Sequence, residues 1–159
     1  MENIGPMLIL ASQSPARKAL LSQAGLRFSS VAVEIDERSI ESAVLAAGGD
    51  GRDVALRLAE RKAAAVAARH PGAIVIGADQ TLSLGPELLH KPANRSEAAA
   101  QLEQLRGKTH RLNAAVALVR DDALLWSGLD TAELTLRSFS AAELDDVLDR
   151  EGEAILTSV

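Results

Sequence analysis

The residues of this chain best suited to chemistry begin at Ser12-Gln13-Ser14-Pro15-Ala16-Arg17-Lys18, where two hydroxyls and two cations cluster around a helix-starting proline. The short apolar run Met7 to Ala11 reads as a strand that delivers the chain to Ser12, and Ser14 followed by Pro15 reads as an N-cap with proline at the first helical position. A helix N-terminus presents unpaired N–H groups and the positive end of the helix dipole, so its natural guest is an anion such as phosphate. Arg17 and Lys18 fall in the first turn, where the dipole favours acidic side chains by roughly 0.3 to 1 kcal/mol. Either an anion sits between these cations or both point into water.

Carboxylates supply the second group. Asp36-Glu37 closes a predicted strand from Val31 to Ile35, and Asp79 follows the clearest buried strand, Ala73 to Ala78. Ligands of α/β sheets gather at the carboxyl ends of strands. There, two or three carboxylates could share a magnesium ion while the phosphates of a substrate supply further oxygens, which reconciles an acidic protein with an anionic ligand. Asp36-Glu37 also fits a solvated turn. For Asp79 an unpaired buried charge would cost several kcal/mol, so it is solvated, paired or metal-bound. Lys62, among Ala59, Ala63 and Ala64, either snorkels outward or reaches inward. Lys91 before Pro92 reads as an exposed loop cation, and His110 as a structural or solvent-facing histidine without chemistry. No complete Gly-x-x-x-x-Gly-Lys-Ser/Thr phosphate loop, Gly-x-Gly-x-x-Gly or serine nucleophile elbow is present.

These groups need a frame of alternating strands and helices. A helix from Pro15 to Ala24 ends at Gly25, and a loop spans Ala46 to Gly51 as an insertion. A helix from about Asp53 to Arg69, with a basic last turn, stops at His70-Pro71-Gly72. Thr81 to Leu84 continues as a short strand to the turn at Gly85-Pro86, and Ser96 caps a helix ending near Gly107. Leu112 to Val119, Ala123 to Ser127 and Thr131 to Leu136 read as three strands of an antiparallel meander that turns first at Asp121-Asp122. Ser140 to Glu143 matches a capping box whose helix Gly152 ends, and Ile155 to Val159 begins another strand. The order of elements predicts one mixed α/β domain over 1–159.

Composition narrows the partners. A chain of 159 residues, 47% hydrophobic, can bury one useful core. Its only aromatics, Phe28, Trp126 and Phe139, give no stacking platform for single-stranded nucleic acid, and a net charge of -5 repels polyanions at long range. Nucleic-acid polymers are therefore not expected partners. With no cysteine there are no disulfides, thiolate metal sites or cysteine nucleophiles, so any metal is held by oxygen. Met1 to Leu10 reads as a tail entering a strand rather than a signal peptide, and no segment reaches membrane-spanning length, so the expected location is the cytoplasm, away from membranes.

In order and spacing, Ala11 to Leu21, Ile35-Asp36-Glu37, Leu58 to Ala63, Ile76-Gly77-Ala78-Asp79-Gln80, His90-Lys91-Pro92 and Leu105 to Arg111 resemble the Maf family of nucleotide pyrophosphatases. The resemblance covers nearly the whole chain. It implies a Maf/ITPase-like α/β fold: an elongated mixed sheet flanked by helices, with two lobes and a central cleft. It also implies a homodimer in many members, and hydrolysis of a nucleoside triphosphate to monophosphate and pyrophosphate with a divalent cation, Mg²⁺ or Mn²⁺. Carried over by position, Ser12, Ser14 and Arg17 bind phosphates, Glu37 helps Asp79 hold metal, and Lys62 and Lys91 neutralise the triphosphate. Asp79 is the general base or orients the attacking water. Gln80 contacts substrate, and Asp79-Gln80 resembles the branch associated with 7-methyl-GTP.

Two departures stand out. Ala16 replaces a second arginine found in many members, and the family's further C-terminal Gly-Ala-Tyr-like and Gly-Asp-Tyr-like segments, which complete its sheet, are expected to be missing after Val159. The resemblance also allows a nucleotide-binding regulator of cell division and septum formation with weakened turnover, and the phosphate-binding residues alone allow a hydrolase of another phosphorylated metabolite.

Overall fold

In the computed structural model, which describes residues 6–157, the apolar run after Met7 forms β1 (Leu8–Leu10). Parallel neighbours lie on both sides of it: Ile9 and Leu10 pair with Ser29 and Ser30 of β2 (Ser29–Ser30), and Leu8, Ile9 and Leu10 with Ile74, Val75 and Ile76 of β3 (Ile74–Leu84). A central parallel strand is covered on both faces, which is why Leu8, Ile9 and Leu10 are continuously apolar. With β4 (Glu87–Leu89), β5 (Thr109–Arg120) and β6 (Ala123–Thr135), the mixed sheet has the order β2-β1-β3-β5-β6, and β4 pairs antiparallel with β3. Helices α1 (Pro15–Gln23), α2 (Glu37–Ala46), α3 (Gly51–Ala67), α4 (Arg95–Leu105) and α5 (Ala141–Glu151) complete the α/β fold.

The chain forms two compact units, one made of residues up to Asp79 with Ala114–Asp130, the other of Gln80–Asn113 with the residues from Thr131 onward. In the first unit, α3 turns Ala63, Val66 and Ala67 onto Ile9, Val75 and Val119, while Ala55 and Ala59 meet Ala115 and Ala117. In the second, Leu82 and Leu112 of the sheet pack with Leu89 and Leu105, and Ala98 of α4 packs with Leu144 and Leu148 of α5.

The second unit also carries a buried polar cluster. Asn113, 1% exposed, donates both amide hydrogens, to Thr81 Oγ1 at 3.1 Å and Ser83 Oγ at 2.9 Å, and accepts from Thr131 Oγ1 at 3.1 Å. Asn113 faces Thr131 as Arg111 faces Glu133 and Thr109 faces Thr135, the spacing of an antiparallel hairpin. Asn113→Ala removes three hydrogen bonds in a low-dielectric setting and should cost about 2 kcal/mol. The midpoint of urea unfolding at unchanged slope measures it.

Several elements differ from expectation. The strand expected over Val31 to Ile35 is not formed; β2 ends at Ser30, and Asp36 instead caps a helix not foreseen, α2, through a bond from the Ser39 N–H to Oδ1 at 3.0 Å. The expected loop insertion over Ala46 to Gly51 shortens to the link between α2 and α3, because Asp50 and Asp53 form a capping box that starts α3 at Gly51. The last turn of α3 holds no basic residue; Arg69, beyond its end, reaches back to the Ala65 carbonyl at 3.4 Å. Asn94 rather than Ser96 caps α4, its side chain accepting from the Glu97 N–H. β3 runs through Asp79 without a break, and the two strands expected over Ala123 to Leu136 are one, β6. Gly152, at φ 54°, ends α5 as expected, but a 3-10 helix, Gly152–Leu156, replaces the expected strand start at Ile155. Ser158 and Val159, like Met1 to Gly5 of the expected tail, lie outside the described residues.

Candidate active site

The turn after β1 holds the first group. Ser14 caps α1, its Oγ accepting from the Arg17 N–H at 3.5 Å, with Pro15 opening the helix. Ser12, 7% exposed, accepts at its Oγ from the Ser14 N–H at 3.1 Å and from Arg17 Nη1 at 3.2 Å. Arg17 is thus held back over the turn. Lys18 is tied to Gln13 Oε1 at 2.7 Å. A hydroxyl has two lone pairs and one hydrogen. With both lone pairs of Ser12 Oγ taken by N–H donors, its remaining hydrogen can only be given away, as an anion requires.

The second group, in the same unit, centres on Lys62. It occupies the inner face of α3 with Leu58, Ala59, Ala63 and Val66, and is 7% exposed, so it reaches inward rather than snorkelling. Its Nζ lies 2.5 Å from Asp79 Oδ1 and 2.9 Å from Glu37 Oε1. Asp79 is 8% exposed in the middle of β3, not at a strand end as expected: paired with an ammonium, the carboxylate does not have to leave the sheet. The closeness of helix and strand depends on Gly77, where a Cβ would meet the Ala59 carbonyl oxygen at 2.0 Å.

Burial pushes the Asp79 carboxyl above its ordinary value of 3.8; the charge and hydrogen bond of Lys62 pull it back, Glu37 pushes it up again, and Arg17 draws it down. The charge of Arg17 is therefore felt at Asp79. Glu37, the first residue of α2, keeps a side chain 54% exposed. Its contact with Lys62 is correspondingly the weaker of the two.

Ser12, Ser14 and Arg17 are thus brought together at one helix start, and Glu37, Lys62 and Asp79 around one ammonium. Gln80, half-buried on β3, and Lys91, exposed in the loop after β4, belong to the second unit. Among the described residues no group of three or more His, Cys, Asp or Glu gathers as a metal site; Glu37 and Asp79 converge on Lys62. His110 is buried rather than solvent-facing, its Nδ1 has no hydrogen-bond partner among the described residues, and burial lowers its pKa from the ordinary 6.5. Sequence reasoning missed Asp36 as the cap that fixes Glu37, although Asp three residues before Ser39 is a capping signal, and it missed Ser30, whose hydroxyl donates to the Ser12 carbonyl at 2.6 Å and which no local pattern marks.

Known proteins resemble this chain along most of its length. The chain is 51% identical over 152 residues to a protein of Bradyrhizobium diazoefficiens named nucleoside triphosphate pyrophosphatase, covering 96% of this chain and 74% of that one. It is 50% identical over 154 residues to one of Rhizobium meliloti named 7-methyl-GTP pyrophosphatase, covering 97% and 77%. Among solved structures a HAM1 protein from Coxiella burnetii shares the fold at a TM-score of 0.54 and 18% identity, over 81% of this chain and 72% of that one. Residues 7–156 match the family described as Maf-like protein, and with relatives near half identity along nearly all its length this chain belongs to the Maf-like family.

Proposed function

We propose that the chain hydrolyses a nucleoside triphosphate to the monophosphate and pyrophosphate, and that 7-methyl-GTP is the substrate to try first, as the name of the Rhizobium meliloti relative suggests. The observation that carries the proposal is a buried carboxylate, Asp79, paired with Lys62 in the same unit as a hydroxyl-and-guanidinium turn built for phosphate. Asp79 accepts a proton from water, the water oxygen bonds to the α-phosphorus, and the bridging bond from that phosphorus to the β-phosphate oxygen breaks to release pyrophosphate. Ser12, Ser14 and Arg17 bind phosphate oxygens, while Lys62 offsets the charge. Most of the rate comes from such positioning and charge neutralisation. Glu37 and Asp79 offer the hard oxygen donors Mg²⁺ or Mn²⁺ prefers, and two carboxylates suffice where phosphates supply the other ligands. They would hold the ion, which when bound offsets charge on the phosphates.

Incubation with Mg²⁺ or Mn²⁺ and 7-methyl-GTP, GTP, UTP and dTTP tests the reading. Pyrophosphate release supports it. Orthophosphate alone would point to another hydrolase, and retained binding without product to the regulatory role.

The pH dependence follows from Asp79. The base must be ionised, so kcat/KM should rise with pH through a limb above 3.8, and Asp79→Asn should abolish turnover while nucleotide binding is kept. Stability runs the other way: a carboxyl whose folded value is raised favours the folded state when protonated. Its contribution is fully present below 3.8 and is lost as pH rises through the folded value. Melting curves of wild type should show this component, and those of Asp79→Asn should lack it.

A further inference from the structure

We infer that Ser30 is a positioning residue for the phosphate-binding turn, acting through Ser12 on Arg17; this rests on the nucleotide reading above. The evidence begins where the parallel ladder stops. The Val31 N–H donates to the Leu10 carbonyl at 2.9 Å, the last backbone bond from this segment to β1. In a parallel ladder the next acceptor on the same edge is the carbonyl two residues on, that of Ser12, and its donor would be the N–H two residues beyond Val31. Because β2 ends at Ser30, no backbone donor arrives, and the Ser30 hydroxyl takes the carbonyl instead at 2.6 Å.

Ser12 is consequently gripped at two points. Ser30 holds its carbonyl, and its Oγ is the hub to which the Ser14 N–H and Arg17 Nη1 both donate. A shift of the Ser12 backbone moves that hub, and with it the guanidinium and the one hydroxyl hydrogen left for a phosphate oxygen. Ser30 touches no phosphate in this scheme. Its effect passes through the Ser12 peptide.

Calorimetric binding of inorganic pyrophosphate to wild type, Ser30→Ala, Ser30→Thr, Arg17→Ala and the Ser30→Ala/Arg17→Ala double variant tests the chain of contacts. Ser30→Ala should weaken binding about five- to tenfold, the loss of one well-made hydrogen bond. Ser30→Thr, which keeps the hydroxyl in a strand that suits β-branched residues, should stay within about twofold of wild type. In the Arg17→Ala background the Ser30→Ala loss should shrink to less than about twofold, because coupled residues are not additive. A purely structural role would give the same loss with and without Arg17, and that result overturns the inference, as does unchanged binding by Ser30→Ala or failure of threonine to rescue. Pyrophosphate binding by wild type without hydrolysis of any triphosphate would sink the proposed activity yet leave this role standing. No pyrophosphate binding by wild type would overturn the role itself.

Discussion

Lys62→Met should lower stability by about 3–5 kcal/mol and abolish hydrolysis, because it leaves Asp79 buried in the sheet with no opposite charge against it. Methionine matches the lysine stem in length and packs well, so the loss reports the missing ammonium rather than a cavity. A protonated Asp79 needs no cation. The variant should therefore recover stability as pH falls through the raised pKa of Asp79 towards 3.8, a larger gain than wild type shows over the same range. Adding Asp79→Asn to Lys62→Met should restore much of the melting temperature without restoring turnover. Thermal melts of wild type, Lys62→Met, Asp79→Asn and the double variant between pH 4 and 8 measure this, and a Lys62→Met melt independent of pH would contradict it.

Gly77→Ala should be nearly as severe, at about 3 kcal/mol or more, the upper end of overpacking costs. An added Cβ would stand 2.0 Å from the Ala59 carbonyl oxygen, 2.7 Å from the Ala63 nitrogen and 2.8 Å from the Ala63 Cβ. Two of these atoms are backbone of α3, so no side chain can rotate away. Helix and strand must separate. Since Lys62 leaves α3 and Asp79 leaves β3, that separation lengthens the 2.5 Å ion pair, and activity should fall more than stability alone predicts. Differential scanning calorimetry together with kcat/KM at a temperature where the variant is still folded distinguishes the two effects. A variant with wild-type melting would show that α3 and β3 do not need this close approach.

The sequence made legible whatever local rules decide. Ser14, Pro15 and Gly25 bracket α1, as capping rules predict, and Ser140 with Glu143 starts α5. The turn proposed to bind phosphate is visible because its parts, Ser12, Ser14 and Arg17, are neighbours in the chain. Where partners are far apart, local reasoning failed. A charge at Asp79 suggested a strand end, because its partner Lys62 lies 17 residues upstream on a helix. The single long β6 was split in two, since much of it is exposed, Leu124, Leu125 and Trp126 included, and shows no alternation of buried and exposed positions to mark one strand. Ser30 carries no signal at all: its role exists only because β2 stops beside the Ser12 carbonyl. Helix α2 was hidden behind the strand expected over Val31 to Ile35, whose closing residue Asp36 in fact caps the helix.

Hydrolysis of 7-methyl-GTP in ¹⁸O-labelled water, followed by mass spectrometry of the products, tests the central claim most directly. Water activated by Asp79 at the α-phosphorus places the label in the nucleoside monophosphate and none in pyrophosphate, and Asp79→Asn yields neither product. Label found in pyrophosphate, or undiminished turnover by Asp79→Asn, would contradict the account.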